Sequence, residues 1–455
     1  MGGQVYFAVF AVNLVVFSVA GCWSWTSPMI PKFQSTDPHL NPLGRPATTL
    51  ETSWIASIMN LGAIVGPFIG GYLSHNYGKK TSLLIMTTPI LVSHALCAIG
   101  DDIYYFLFAR LLIGLSAGTI YSVVPGYVGD VSEDKDRGFL GSLIGVFNCL
   151  GMLFMFAVGP YLSIKWFSVA NMVTPVVFYV VFGVFTPSSP YDLLKEGKVV
   201  KAVESLMKLR GTAAEDVQKE LKYIRETIEQ SGQNVNGLSR ILKTRSYVKG
   251  LIVSNGLMVF QQLSGICAVL GYLQHIFESS GSSLPATYSA MLVGVIQLMS
   301  ATVGAQLVSK TGRKALIMVS NVFGMLGLIA LGVFFYLKDD LSVDVSALGY
   351  LPISSLVIYI LVLNVGLSIQ PWAMLAELFP PDIKAISATI STFTSFSLSF
   401  ITTLGFPFMA DSIGLACTFW VFAAILFLGS IFTFLVVPET GGKSIEEVQH
   451  VLARS

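Results

Sequence analysis

Twelve apolar stretches, each long enough to cross a lipid bilayer, limit what this chain can fold into. A helix needs roughly 20 apolar residues to cross the hydrocarbon core. Spans of this length must be helical, because lipid offers no partner to an unpaired backbone group. Hydrophobic residues make up 53% of the 455 residues and charged residues only 12%. We therefore predict an all-α membrane protein with twelve transmembrane helices, at 5–25, 53–73, 82–100, 103–125, 139–161, 166–186, 251–273, 288–308, 315–337, 352–376, 387–409 and 413–437.

Two polar patterns occur twice, roughly 240 residues apart, after corresponding spans of the two halves. After the second and eighth spans the chain reads Gly70-x-x-Leu73 with Gly78-Lys79-Lys80, then Gly304-x-x-Leu307 with Gly312-Arg313-Lys314. After the fourth and tenth spans an acid precedes a base by seven positions, as Asp130 with Arg137 and Glu377 with Lys384. A duplicated six-helix half explains both repeats. In membrane proteins this organisation indicates alternating access around a site between the halves.

A polar stretch rich in Lys and Glu separates the two halves. Its apolar residues fall at helical spacing, which predicts short amphipathic helices at the membrane surface: Ala202, Leu206, Leu209, Val217, Leu221 and Ile224. We expect a six-helix bundle at 1–186, a helical linker at 187–250, a second bundle at 251–437 and a tail at 438–455. Basic residues concentrate on the linker side, so the positive-inside rule predicts that the linker and both termini are cytoplasmic.

Composition and motif content argue against several other classes of protein. A net charge of +1 gives no indication of nucleic-acid binding, and the five cysteines lack metal-ligand spacing. We expect free thiols, no cofactor and no catalytic site. The sequence contains no Gly-x-x-x-x-Gly-Lys-[Ser/Thr] loop, so ATP is not the expected energy source. The first apolar stretch has no basic n-region, which favours a retained span over a cleaved signal peptide.

Five further motifs lie in order on the expected spans. They are Arg110-x-x-x-Gly114-x-x-x-Gly118, Pro125-Gly126-Tyr127 running to Arg137-Gly138, Gln261-Gln262-Leu263-Ser264-Gly265, Pro371-Trp372 with Glu377, and Pro438-Glu439-Thr440-Gly441-Gly442-Lys443-Ser444 with Glu446-Glu447. Together they resemble the sugar-porter family of the major facilitator superfamily, across essentially the whole chain. Within it, Trp25-Thr26-Ser27-Pro28 and Ser53-Trp54-Ile55-Ala56-Ser57 are similar to insect-type facilitated trehalose transporters and their hexose-carrying relatives.

The resemblance implies two six-helix bundles that rock around a midplane site and carry a small neutral sugar. A hexose such as glucose is the expected substrate, and trehalose is the alternative. A non-transporting sugar sensor is a rival of another class. The expected setting is the plasma membrane, with the chain acting as a monomer in the bilayer.

Two neighbouring carboxamides, Gln261 and Gln262, lie in the middle of the seventh span. Polar side chains at this depth should face the bundle interior or a watery cavity. They either hydrogen-bond between helices or bind substrate, since a carboxamide both donates and accepts as sugar hydroxyls do. The resemblance implies the sugar site, with Trp372 offering a ring face to a pyranose. The full candidate set is Gln261, Gln262, Cys267, Tyr272, Gln297, Asn364, Trp372 and Ser395.

The repeated acids and bases predict a cytoplasmic gate whose charges pair when the halves close inside and separate when they open. Simple anchoring at the interface is the alternative, but it does not explain the equal spacing of acid and base. Arg110, a basic residue inside a span, is expected to join this network or a helix dipole. The candidate gate residues are Lys79, Lys80, Arg110, Asp130, Arg137, Arg313, Lys314, Glu377 and Lys384.

Several positions depart from the family pattern. The acids of the two glycine motifs are replaced by His75 and Ser309, and the usual Pro-Glu-Ser-Pro-Arg reads Pro187-Ser188-Ser189-Pro190-Tyr191. In the expected cavity the replacements are Gly145, Cys267, Asn364, Ser395 and Phe396. Hydrogen-bonding groups directed at the sugar are therefore lost or shortened, which leaves the substrate open.

The spans contain no Asp or Glu at mid-membrane depth, and Asn13 and Ser18 are the polar residues in the interior of the first span. A proton symporter needs a protonatable group in the cavity, usually a carboxylate. We expect His94 to be a packed residue of the third span. The sequence therefore favours uncoupled uniport over proton symport.

Overall fold

The computed structural model describes residues 3–133, 135–213, 217–231, 240, 241, 243–441, 443 and 445–454. Parts of the predicted linker (214–216, 232–239 and 242) and of the last motif (Gly442 and Ser444) lie outside these ranges. Up to the linker the helices are α1 Gly3–Ser24, α2 Thr26–Gln34, α3 Thr49–Ile99, α4 Ile103–Val131, α5 Arg137–Val158, α6 Ile164–Val180, α7 Pro190–Lys195, α8 Val199–Arg210 and α9 Gln218–Ser231.

The helices after the linker continue in the same way. They are α10 Arg245–Leu263, α11 Ile266–Gly271, α12 Leu273–Ser280, α13 Ala286–Thr311, α14 Arg313–Phe335, α15 Leu351–Val365, α16 Gln370–Leu378, α17 Pro381–Val436 and α18 Ile445–Arg454. Short 3₁₀ turns lie at Gly159–Tyr161 and Ser346–Leu348, and π turns lie at Val181–Phe185 and Tyr336–Asp340. The described residues contain no strand.

Ten segments of the described chain are long and apolar enough to cross a membrane. Two of them each hold two spans joined at a non-helical glycine. In α3 this glycine is Gly78, with φ of 76° and ψ of 161°, and in α17 it is Gly414, with φ of 82° and ψ of 159°. Counting each of these as two spans gives twelve, which confirms the predicted all-α, twelve-helix membrane fold.

The chain divides into two compact units that do not follow its sequence halves. The first contains Met1–Cys22, Leu61–Met152 and Leu162–Val235. The second contains Asn236–Ser455 together with Trp23–Asn60 and Leu153–Tyr161. Within the second unit, Thr26 Oγ1 donates to the carbonyl of Gly271 at 3.0 Å, and Ser27 Oγ accepts from the amide of Gln274 at 3.0 Å. This division groups segments by their contacts and does not test where each six-helix bundle begins and ends. The predicted boundaries of the two bundles therefore stay a prediction.

The linker helices α8 and α9 are amphipathic, as their spacing predicts, but their apolar faces pack on each other. Ala202, Leu206, Val217, Leu221 and Ile224 form one buried cluster. These side chains are therefore already withdrawn from solvent within the protein. The expectation that they lie on the membrane surface gains no support from this packing.

The seventh span is broken twice and the tenth span once. Gly265, with φ of 86°, separates α10 from α11, and Tyr272 separates α11 from α12. Gly366, with φ of −108° and ψ of −94°, ends α15 before α16 begins. Broken helices at membrane depth are tolerated where protein or a cavity satisfies the freed backbone groups. Transporters place their binding sites at such breaks.

We predict that Gly265→Ala destabilises the protein. The positive φ disfavours any residue with a Cβ, and a Cβ here would lie 2.4 Å from the ring of Phe422. Strain and overpacking together should lower the free energy of unfolding by about 2–4 kcal/mol. Thermal unfolding of the purified protein in detergent measures the effect. Gly405→Ala is the matched control, because a Cβ there meets nothing within 4 Å. Equal melting temperatures for the two variants would contradict this reading of the break.

Candidate functional site

Four predicted binding residues form one hydrogen-bonded group beside the helix breaks. Gln262 Nε2 donates to Ser395 Oγ at 2.9 Å, and Cys267 Sγ donates to Gln262 Oε1 at 3.2 Å. Gln261 Nε2 donates at 2.8 Å to the carbonyl of Ser368, which the break in the tenth span leaves free. Both glutamines are less than 10% exposed. The seventh, tenth and eleventh spans thus meet at this group.

The breaks themselves are held by side chains from neighbouring helices. Tyr359 donates its hydroxyl to the carbonyl of Ser264 at 2.9 Å, just before Gly265. The amide of Leu367 donates to Ser320 Oγ at 3.1 Å, just after Gly366. Each contact satisfies a backbone group that the broken helix no longer satisfies. The site therefore rests on fixed backbone, although its helices are discontinuous.

Of the other four predicted binding residues, three lie near the breaks along the chain and Gln297 lies on the eighth span. Asn364 precedes Gly366, and Trp372, at 38% exposure, follows it in the first turn of α16. Tyr272 is buried at the second break of the seventh span, with its ring 5.3 Å from that of Phe406. Gln297 is buried on α13. Among the described residues, Gln297 Oε1 and Asn364 Nδ2 are buried without a hydrogen-bond partner, which suits a ligand with several hydroxyl groups.

Two aromatic residues of the first half, Trp23 and Trp54, were not among the predicted binding residues although both pack on the eleventh span. Trp23 stacks on Phe396, with ring centroids 5.7 Å apart, and Trp54 lies against Phe400 at 5.8 Å. A signal existed for Trp54, since it falls in a motif shared with the insect-type transporters. Trp23 lay at the end of an apolar span, where nothing distinguished it from a packing residue.

The first charge network lies in the first unit, where α4 ends and the third span begins. Lys79 Nζ lies 2.8 Å from Asp130 and 2.9 Å from Asp192. The backbone amide of Lys79 also donates to Asp192 at 2.6 Å, and Ser189 Oγ donates to Asp130. Asp192 therefore caps the start of the third span, where the helix dipole favours an acid.

The second network repeats this arrangement in the second unit. Arg313 binds Glu377 with two hydrogen bonds of 2.5 and 2.7 Å, and Thr440 Oγ1 donates to Glu377 at 2.8 Å. Glu439 accepts from the amides of Arg313 and Lys314 at 2.9 and 3.0 Å, and so caps the ninth span. Sequence reasoning missed Asp192, because Ser188 stands at the acid position of the family's motif after the sixth span and Asp192 lies just beyond that motif.

The second basic residue of each repeated motif caps a helix end instead of pairing with an acid in the described contacts. Lys80 Nζ donates to the carbonyls of Gly183 and Thr186, at 2.9 and 2.6 Å. Lys314 Nζ donates to the carbonyl of Phe434 at 2.9 Å. These carbonyls lie at the ends of the sixth and twelfth spans, where a cation is favourable. Arg137 and Lys384 are exposed, and their gating role stays a prediction.

The assignment of Arg110 to the cytoplasmic gate is corrected by the structure. Arg110 is 3% exposed, and its Nη1 donates at 2.5 Å to the carbonyl of Cys22 in the last turn of α1. Asp130 lies twenty residues further along the same helix, which corresponds to about 30 Å. Arg110 therefore lies near the opposite end of α4 from the charge network. Its contact with the carbonyl end of α1 matches the other expectation, a helix dipole.

Twelve spans, discontinuous seventh and tenth spans and carboxamides at the breaks define a carrier of the major facilitator fold. The inward-open xylose transporter XylE of E. coli is similar over 98% of this chain and 99% of its own, with a TM-score of 0.81 and 20% identity. The chain belongs to the Sugar (and other) transporter family, whose pattern matches residues 3–452. The predicted family is therefore confirmed.

Two proteins named "Facilitated trehalose transporter Tret1" illustrate the relationship. The one from Drosophila willistoni is 34% identical over 444 residues, and the one from Bombyx mori is 32% identical over 442 residues. Each match covers 97% of this chain. The chain spans 50% of the length of the Drosophila relative and 85% of the Bombyx relative.

We predict that Asp192→Ala and Glu439→Ala each destabilise the protein. Each change removes a helix cap, and Asp192→Ala also leaves Lys79 with one acid fewer. Losing a cap costs about 1–2 kcal/mol, which should lower the melting temperature by a few degrees. Glu196→Ala is the matched control, since Glu196 pairs with Lys198 in solvent, where ion pairs contribute little. If Glu196→Ala lowered the melting temperature as much, the loss of stability could not be assigned to the two helix caps.

Proposed function

We propose that this protein is a facilitative carrier that moves a neutral sugar across a membrane by alternating access, without coupling to protons, sodium or ATP. The observation that carries the proposal is the glutamine pair at the two helix breaks. Gln261 is bonded to the backbone carbonyl of Ser368. Gln262 reaches Ser395 on a third span. A sugar whose hydroxyl groups replace these hydrogen bonds would link the seventh, tenth and eleventh spans, which we propose move during transport.

The absence of an acid at mid-membrane depth supports uncoupled transport. Arg110, a buried base in a span, donates to the carbonyl of Cys22. His94 is 3% exposed, so it is withdrawn from water. A coupling proton needs a water-accessible group that titrates. Neither residue meets that requirement in its present position.

The substrate is proposed from two candidates, a hexose such as glucose and the disaccharide trehalose. The sequence motifs favour a hexose as the substrate and leave trehalose as the alternative. Both relatives are named trehalose transporters, which supports trehalose, and their match covers nearly all of this chain. The lost hydrogen-bonding groups at Cys267 and Ser395 are compatible with either sugar.

The proposed setting is the plasma membrane, with the protein acting as a monomer. We place both termini and the linker on the cytoplasmic side, from the distribution of Lys and Arg. The repeated charge networks then lie on the cytoplasmic side as well. We assign the sugar site to the midplane between bundles 1–186 and 251–437.

Uptake of labelled glucose, fructose and trehalose by cells expressing the chain tests the function directly. We expect saturable uptake of at least one sugar that stops when inside and outside concentrations are equal, because a uniporter has no second gradient to draw on. Proton uncouplers should leave the initial rate unchanged. Several-fold accumulation, or a sugar-evoked inward current at acid pH, would contradict uncoupled transport. No uptake of any of the three sugars by surface-expressed protein would contradict the proposed function.

We predict that Gln261→Ala and Trp372→Ala weaken sugar transport. Losing one good hydrogen bond costs about 1 kcal/mol, and losing a ring face costs a similar amount. The KM should rise about fivefold in each variant. Asn76→Ala and Trp166→Ala are the matched controls, because both side chains are exposed on the first unit. Unchanged kinetics in both test variants, at normal surface expression, would remove these residues from the site.

A further inference from the structure

The stacked pair Trp23–Phe396 has the properties of a ligand-binding surface. The two ring planes are 4° from parallel and their centroids are 5.7 Å apart. At this separation parallel rings are offset, so part of each face stays uncovered. Both side chains are partly exposed, although their neighbours Cys22, Ser24 and Ser395 are buried. The pair therefore keeps part of its aromatic surface uncovered by protein.

The position of the pair along the eleventh span connects it to the glutamine group. Phe396 follows Ser395, which accepts the hydrogen bond from Gln262. Trp23 is the second-last residue of α1, next to the junction between α1 and α2 at Trp25. An apolar ring face and a carboxamide thus lie beside the same turn of α17. A pyranose needs this combination, because its C–H face favours an aromatic ring while its rim of hydroxyls needs donors and acceptors.

A second aromatic pair lies one turn further along the eleventh span. Phe400 is four residues after Phe396, which corresponds to about 6 Å along the helix. Its ring lies 5.8 Å from that of Trp54, tilted by 55°. Trp54 and Phe400 are also partly exposed. In contrast, the rings of the nearby pair Tyr272–Phe406 are buried, at 3% and 2% exposure.

We propose that Trp23 and Phe396 contact the apolar face of a first sugar ring and that Trp54 and Phe400 contact a second ring linked to it. The site then takes a neutral disaccharide, and Trp54 is the residue that distinguishes it from a hexose. This inference rests on the proposed function. The proposed site combines the aromatic rings of Trp23 and Trp54, from the first half of the chain, with the glutamine group from the second half. A bound sugar therefore contacts residues of both halves.

Transport kinetics of single variants test the proposal. Trp23→Ala should raise the KM about two- to tenfold for both glucose and trehalose, with little change in the maximal rate, because it removes contact with the first ring. Trp54→Ala should raise the KM for trehalose alone. Trp23→Phe should restore part of the loss, since it returns an aromatic face. Trp166→Ala is the control and should change neither KM, because its side chain is 62% exposed on the first unit.

Tryptophan fluorescence of the purified protein gives a readout that does not depend on transport. Added trehalose should change the emission of the wild-type protein, and Trp23→Phe should reduce that change while Trp166→Phe keeps it. A full signal in Trp23→Phe would overturn the first-ring contact. Wild-type protein that transports glucose but neither binds nor transports trehalose would overturn the second-ring contact. Wild-type protein that transports no sugar would instead contradict the proposed function.

Discussion

The structure depends on the requirement that every backbone polar group at membrane depth finds a partner. Unbroken helices satisfy this requirement on their own, so most of the chain consists of apolar spans. The seventh and tenth spans do not, and their freed groups are satisfied by other helices. Gln261 donates to Ser368, Tyr359 donates to Ser264, and Ser320 accepts from Leu367. The breaks persist because these contacts offset their cost, and the polar groups that they gather form the candidate site.

The duplicated charge networks solve a second problem, which is how to begin a helix directly after a glycine turn at the membrane surface. In each half an acid accepts from one or two free amides at the start of the third or ninth span, and a hydroxyl residue donates to the acid at the end of the fourth or tenth span. The acids are Asp192 in the first half and Glu439 in the second. The two acids lie at different distances along the chain from the spans that they cap. The two halves therefore make similar contacts from dissimilar stretches of sequence.

The number of spans and the family could be predicted from the sequence, because apolar length and ordered motifs report on both directly. The glutamine group was also predictable, as carboxamides at mid-membrane depth rarely face lipid. Trp23 was not, since a tryptophan in an apolar span looks the same whether it packs or lines a cavity. For Arg110 the sequence leaves the charge network and a helix dipole both open, because a motif gives the residue's neighbours along the chain and not the helix that it contacts.

Counterflow in proteoliposomes tests the central claim most directly. Vesicles containing the purified protein are loaded with unlabelled sugar and diluted into a trace of labelled sugar. A carrier that alternates access around one site predicts transient uptake of label above its equilibrium level, and that rise should persist when no ion gradient is present. Labelled sugar that only equilibrates slowly, at the rate of protein-free vesicles, would contradict the account.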